Sequence, residues 1–412
     1  MQRRDFLKLM CSSSLAGSAW LLDDSFRLKA AQAAAAPKTL VVIFQRGGCD
    51  GLNVVVPYAD NDYYRLRPTI AIAPPGQVNG ALDLNGYFGL HPAMQGLQRL
   101  YQQQQLAVFP AVHYPQASLS HFDSQHFIES GAIRSDLEGW MNRHLASSMN
   151  SSGMRGVGFG NELAQSLRGS VAVSSLRDLA NFDLGLSDTE EMRLSSRLNT
   201  VYAQHPQDSN PYAKLLQQTG QTLLRDLDLT RQIDPKAYRP ANAAVYPANL
   251  FGSQLQQTAQ LIKQGVGLEV AAIDLGGWDT HSAQGGALGS QANLLKNFAD
   301  GIAAFCLDLG TTMQNVLVST MTEFGRTAEE NGSGGTDHGN ASAWFAVGGS
   351  VKGGIYGTWP GLAKDKLYLQ RYLAHSVDFR DVFAEILSKH FANHALAQIL
   401  PGYTPQLRGF MA

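Results

Sequence analysis

Cysteine is scarce in this chain, its charge imbalance is small, and no long apolar run follows the first residues. Only three cysteines occur among 412 residues, and Cys11 lies near the N-terminus. The remaining two, Cys49 and Cys306, are too few for a disulfide scaffold. One bridge between them and two unpaired thiols near the core are both open readings. A net charge of -2 gives no electrostatic reason to expect nucleic acid or an anionic membrane as a partner. No later segment approaches the roughly 20 apolar residues of a spanning helix, so no stable membrane span is expected. Internal repeats and low-complexity tracts are missing too, apart from the alanines of 30–36.

What is present describes an ordinary globular chain: 44% hydrophobic and 16% charged residues, enough for a substantial core. The first residues read differently. Arg3-Arg4 is followed by Phe6-Leu7-Lys8, then a serine-diluted apolar stretch from Leu9 to Leu22, then small residues up to Ala36. Charged start, short apolar middle and small-residue end predict a signal peptide over 1–36. Its arginine pair resembles the twin-arginine type, which carries folded proteins across a bacterial inner membrane. The expectation is a periplasmic or secreted protein, with the twin-arginine translocase as its partner during export. The mature part, 37–412, is long enough for one large domain.

Thr39 to Phe44 is a short, continuously apolar, β-rich run, as expected of a strand buried on both faces. Similar runs span Leu106 to Pro110, Leu268 to Leu275 and Asn315 to Met321, with helix-like stretches at His91 to Gln104 and Ala292 to Leu309. This alternation predicts an α/β layered domain with a central, mostly parallel sheet. Residues from about 150 to 260 are rich in Gln, Leu, Arg, Ser and Asn, with helical spacing at Thr189 to Ala203 and Tyr212 to Leu227. They predict a helical insertion, either a lid or the completion of a helical layer.

Ligands of open α/β sheets bind beyond the carboxyl ends of the strands, so the residues just after each strand carry most weight. Asp50 sits on a glycine-rich turn after the first strand, although a lone Asp-Gly is more often a turn than a ligand. After the second, Ser120 precedes a short helix expected over His121 to Gly131; capping is its common role, nucleophilic attack the other. Asp279 and His281 follow the third strand, and Asp337 and His338 lie beyond the fourth. Two Asp/His pairs suit zinc, manganese or iron. Two such ions would clamp a displacement at phosphorus or sulfur, with Arg46 or Arg326 binding the equatorial oxygens. Turn aspartates and hydrogen-bonded histidines are the plain alternative.

Five motifs in order carry a resemblance: Arg-Gly-Gly-x-Asp-Gly-Leu (46–52), Ser-His-Phe-Asp-x-Gln (120–125), Gly-Trp-Asp-Thr-His (277–281), Glu-Phe-Gly-Arg-Thr (323–327) and Gly-Thr-Asp-His-Gly (335–339). Nearly the whole mature chain resembles the domain of unknown function 1501 family of bacterial proteins. That family looks like a distant member of the alkaline phosphatase-like superfamily, and residues 336–340 are similar to the Asp-His-Gly-Asn segment of cofactor-independent phosphoglycerate mutases. The resemblance implies an α/β/α sandwich with two divalent metal ions, zinc or manganese, at the strand ends. It implies Asp50 with Asp337 and His338 for one ion, and Asp279 with His281 for the other. Ser120, or else Ser118, would stand at the nucleophile's position. Departures are visible: the two-residue step from 279 to 281 is unusual, His375 is the candidate for a late histidine, and His121 or Asp123 would replace a missing ligand. Cys49 lacks the Cys-x-Pro-x-Arg context of a sulfatase formylglycine. The implied function is an exported metal-dependent hydrolase acting on small-molecule or polymeric phosphate or sulfate esters. A non-catalytic binding or envelope-assembly protein on the same fold is the rival.

Overall fold

All seven residues of Thr39–Gln45 (β1) are buried, which only a strand covered on both faces satisfies. The computed structural model describes residues 37–133, 138–148, 153–160, 162–203, 211–231 and 233–412, so the expected signal peptide lies outside the described residues. Strand β1 pairs in parallel with Val270–Leu275 (β5) on one side and Val316–Met321 (β6) on the other. The sheet also holds Leu106–His113 (β2), Gly156–Phe159 (β3), Ser174–Leu176 (β4), Ser342–Gly348 (β7), Gly354–Ile355 (β8) and Val377–Asp378 (β9). Its order is β8-β2-β7-β6-β1-β5-β3-β4, with β9 alongside β2.

The two-residue period of β1 splits its side chains between two cores. Val41 and Ile43 face a cluster built with Leu97 of helix Gln95–Gln102 (α1), Leu255 of Leu250–Gln264 (α6) and Phe298 of Ser290–Leu309 (α7). Leu40, Val42 and Phe44 face Ile128 of His121–Ser130 (α2), Trp140 of Trp140–Ser147 (α3) and Phe383 of Phe379–Glu385 (α8). Helices on both faces of a mostly parallel sheet give the expected α/β/α sandwich. Cys49 and Cys306 are both free thiols.

Two features differ from the sequence reading. The stretch from 150 to 260 is not wholly a helical insertion, because β3 and β4 extend the main sheet and α6 packs against it. The added helices are Asp188–Ala203 (α4) and Pro211–Thr230 (α5), with Asp226 of α5 accepting a hydrogen bond from Ser174 of β4 at 2.6 Å. Strand β7 was not anticipated, and it runs antiparallel to both neighbours, β2 and β6. Its pairing with β2 is irregular between Ser342 and Trp344, beside Pro110, which has no N–H to give the ladder.

Candidate metal centre at the strand ends

Strands β1, β2, β5 and β6 point the same way, so the loops that follow them meet at one edge of the sheet. Antiparallel β7 starts at that edge, and its lead-in, residues 335–341, joins them. Backbone bonds hold this lead-in against the loop after β6: Gly325 donates to Asn340 (2.7 Å) and Thr327 to Asp337 (2.9 Å). The loop after β1 approaches more closely still. A Cβ on Gly47 (φ +124°) would come within 2.5 Å of the Asp279 nitrogen, and that φ also favours glycine. Trp278, 1% exposed, anchors the loop after β5 in the core, leaving Asp279 and His281, one and three residues further on, half-exposed.

Three imidazoles surround the Asp279 carboxylate. His281 Nε2 lies 3.0 Å from it, His338 Nε2 3.3 Å and His121 Nε2 3.6 Å. Behind each ring stands an acceptor at Nδ1: Asp337 for His281 (3.0 Å), the Leu119 carbonyl for His338 (2.8 Å) and Glu323 for His121 (2.8 Å). Carboxylates and carbonyls only accept, so His121 and His338 carry a proton at Nδ1 and, as neutral rings, keep the Nε2 lone pair toward Asp279, whereas His281 has a carboxylate 3.0 Å from each nitrogen. Metal-binding histidines are oriented in this way. Bonds of about 2.1 Å at tetrahedral angles would separate ligand atoms by roughly 3.4 Å, close to the spacings of His121 and His338 from Asp279. His121, Asp279 and His338 form the compact set, their ligand atoms within 4.8 Å of one another. His281 adjoins it, but its Nε2 also faces Arg326 at 3.5 Å. His121, Asp279 and His338 therefore fit a metal ion.

Charge at the site is arranged around Asp279. Burial would raise its carboxyl, but the hydrogen bond and charge of Arg326, with His281 and His121, hold it below the ordinary value. Glu323 is wholly buried, which would likewise raise it; hydrogen bonds from His121, Gln125 and Gly47 lower it instead. The hydrogen bond to Glu323 pushes His121 up, while burial pushes His338 down.

Several expected residues take other positions. Asp50, 1% exposed, meets Arg67 through both oxygens (2.6 and 2.8 Å) and accepts from Gln284 (2.6 Å), so it is no part of the cluster. Asp337 stands behind His281 rather than beside His338's lone pair. Arg46 spends its fork on Glu129 (3.0 and 3.1 Å) and its Nε on Asp274 (2.8 Å). Arg326 is 2% exposed and bonded on every nitrogen to this edge of the protein. Ser120 caps α2, its Oγ accepting from Asp123 N at 3.5 Å, and Ser118 Oγ donates to Asp123 at 3.1 Å. His375 lies near His113, outside the compact set. Sequence reasoning missed Glu323 and Gln125 as parts of the site, and Arg67 as the partner that takes Asp50 out of it. Glu323 and Gln125 were inside quoted motifs, whereas no local signal marks Arg67.

Clefts flank the cluster. One of about 540 Å³ includes Asp337 and Arg371, and one of about 390 Å³ includes Arg46 and Gln125. A more spacious cleft, about 870 Å³ between α1, α7 and the 242–249 loop, contains none of these residues. Among the described residues no helix is long and apolar enough to cross a membrane.

No curated protein matches the sequence. Among solved structures the chain is similar to Ps i-CgsB in complex with k-i-k-neocarrahexaose, at 9% identity over 89% of this chain and 74% of that one, TM-score 0.42. It is similar to the C-terminal periplasmic domain of EcEptC from Escherichia coli in complex with Zn, at 9% identity over 86% and 83%, TM-score 0.36. A third likeness is to the PsFucS1 sulfatase from Pseudoalteromonas sp., at 10% identity over 88% and 69%, TM-score 0.34. The family model described as protein of unknown function (DUF1501) matches residues 37–398, and this chain belongs to that family.

Proposed function

We propose that the protein is an exported, metal-dependent hydrolase of phosphate or sulfate esters. One observation carries this reading: three imidazoles, each fixed by an acceptor at Nδ1, turn their Nε2 atoms toward the single carboxylate of Asp279. An ion such as zinc or manganese, held by His121, Asp279 and His338, would draw electron density from the ester's oxygens. Ser120 immediately precedes His121, at the N-terminus of α2, where free amides favour an anionic group. Its Oγ would attack phosphorus or sulfur as the bond to the leaving alcohol breaks, the hydroxyl proton passing to that alcohol. Water would then release the serine and inorganic phosphate or sulfate. The helix amides, rather than Arg46 or Arg326, would receive the transferred group, since both guanidiniums are already engaged.

The arginine pair Arg3-Arg4 supports export by the twin-arginine route, which would put this chemistry outside the cytoplasm, with metal loading and folding completed before export. Arg3→Lys together with Arg4→Lys should leave the protein in the cytoplasm, as fractionation would read. Metal analysis of the purified protein, alongside hydrolysis of aryl phosphate and aryl sulfate with and without chelator, tests the chemistry. Chelator-sensitive turnover is the expected result. Absence of bound metal after reconstitution with zinc and manganese would sink the reading. Bound metal without turnover of either ester would favour a binding protein on this fold, a reading to which the engaged arginines and the capping role of Ser120 lend weight.

A further inference from the structure

Two buried guanidiniums lie among the same strand-end loops, and each is surrounded by oxygen. Arg326 donates to the carbonyls of Gly48 (2.7 Å), Gly47 (3.0 Å), Trp278 (3.0 Å) and Thr336 (3.3 Å), and to Asp279 Oδ1 (2.6 Å). Arg67, wholly buried, donates to both Asp50 oxygens (2.6 and 2.8 Å), Asn53 Oδ1 (2.9 Å) and the carbonyls of Thr327 and Ala328 (2.9 Å each). Each cage comprises five oxygens: around Arg67 they match the five N–H groups of the guanidinium one to one, and around Arg326 three of them share the two N–H groups of Nη2. So many buried carbonyls turned inward would repel one another around an empty or neutral centre; they require a cation.

We infer that Arg67 and Arg326 are the site's permanent cations, and that it therefore takes one divalent ion, at His121, Asp279 and His338, rather than two. This rests on the metal reading above for its single ion, while the cages stand on their own geometry. Asp50 and Asp279 are the carboxylates on which two ions would have been built. The first is neutralised through both oxygens by Arg67, and one oxygen of the second is bonded to Arg326. A second divalent ion would have to displace a guanidinium together with its five hydrogen bonds. The arginines also differ from metals in use: they cannot be chelated, and their charge does not depend on metal supply.

The test combines metal stoichiometry with chemical rescue. Wild-type protein reconstituted with excess zinc or manganese and then dialysed should retain one equivalent by elemental analysis. His338→Ala should retain at least tenfold less at the same free metal concentration. Two equivalents in the wild type would overturn the inference. Arg326→Ala should melt at a lower temperature and regain several degrees in millimolar methylguanidinium, which leaves the wild type unmoved. A folded Arg326→Ala protein that gains nothing would overturn the cation cage; if that variant does not fold, Arg67→Ala serves for rescue and the wild-type stoichiometry still decides. Zero equivalents with successful rescue would remove the hydrolase reading and the one-ion statement, but not the cages.

Discussion

Replacing Asp50 by Asn separates two roles for this residue that its position after β1 allows. As a metal ligand, its loss would weaken metal binding; as the partner of Arg67, its loss would weaken the fold. The carboxylate is 1% exposed and Arg67 is fully buried. In Asp50→Asn the guanidinium keeps Asn53 and two carbonyls but loses the carboxylate bonded to both its Nη atoms, while an amide nitrogen now faces its donors. Gln284 donates to the same carboxylate at 2.6 Å and is weakened too. Removing one member of a buried ion pair costs about 3–5 kcal/mol. An unfolding entropy of about 2.1 cal/mol/K per residue over roughly 375 residues gives about 0.8 kcal/mol/K, so the melting temperature should fall by about 5 °C. Denaturant titration and thermal melting measure the loss; zinc titration of the folded variant should give an unchanged dissociation constant. A tenfold loss of zinc affinity with unaltered stability would refute the structural role and return Asp50 to the metal centre.

Glu323→Gln removes the charged acceptor behind His121 and should weaken metal binding about 10–100-fold, as competition with a chromogenic chelator would show. Ser120→Ala should abolish ester hydrolysis with metal content intact, at a stability cost of about 1 kcal/mol or less given the long cap bond. Retained turnover would pass the attack to Ser118 or to water. Acid should destabilise the protein through three histidines away from the centre: burial pushes His113 and His144 down to about 3 and His390 to about 4. Their folded values lie below the unfolded value of about 6.5, so this stability is complete above that pH and is lost as pH falls toward 4 and 3. Each costs about 1.4 kcal/mol per unit in that window, so unfolding free energies from denaturant titrations at pH 7.5 and 5.5 should differ by about 4 kcal/mol for the three together. Equal stability at both pH values would contradict their burial as neutral rings.

Local pattern was enough for the elements that carry the site. The apolar runs at 39–44, 106–110, 268–275 and 315–321 fall on β1, β2, β5 and β6, because a strand buried on both faces must be apolar throughout. Ser120 marks the start of α2 and Gly131 its left-handed end, since caps satisfy backbone groups within a few residues. The strand-end rule then selects Asp279, His281, Asp337 and His338 from sequence alone. Strand β7 was not legible, because its Ala and Gly dilute the β-rich signal and its antiparallel direction is a property of its neighbours.

How those residues divide was likewise decided only in three dimensions. A carboxylate's role depends on the cation nearest to it, and the sequence gives no measure of that distance. Asp50 meets Arg67, 17 positions on, from a segment with no motif; Glu323 meets His121 across 202 positions. Asp337 and His338 are neighbours in the chain, yet one orients His281 and the other faces Asp279. By itself the sequence determined the four parallel strands β1, β2, β5 and β6, the edge at which their loops gather and the residue types gathered there. Tertiary packing decided which carboxylates are neutralised by buried arginines and which one is left facing the imidazoles, because Coulomb energy and desolvation depend on separations that only the folded chain sets.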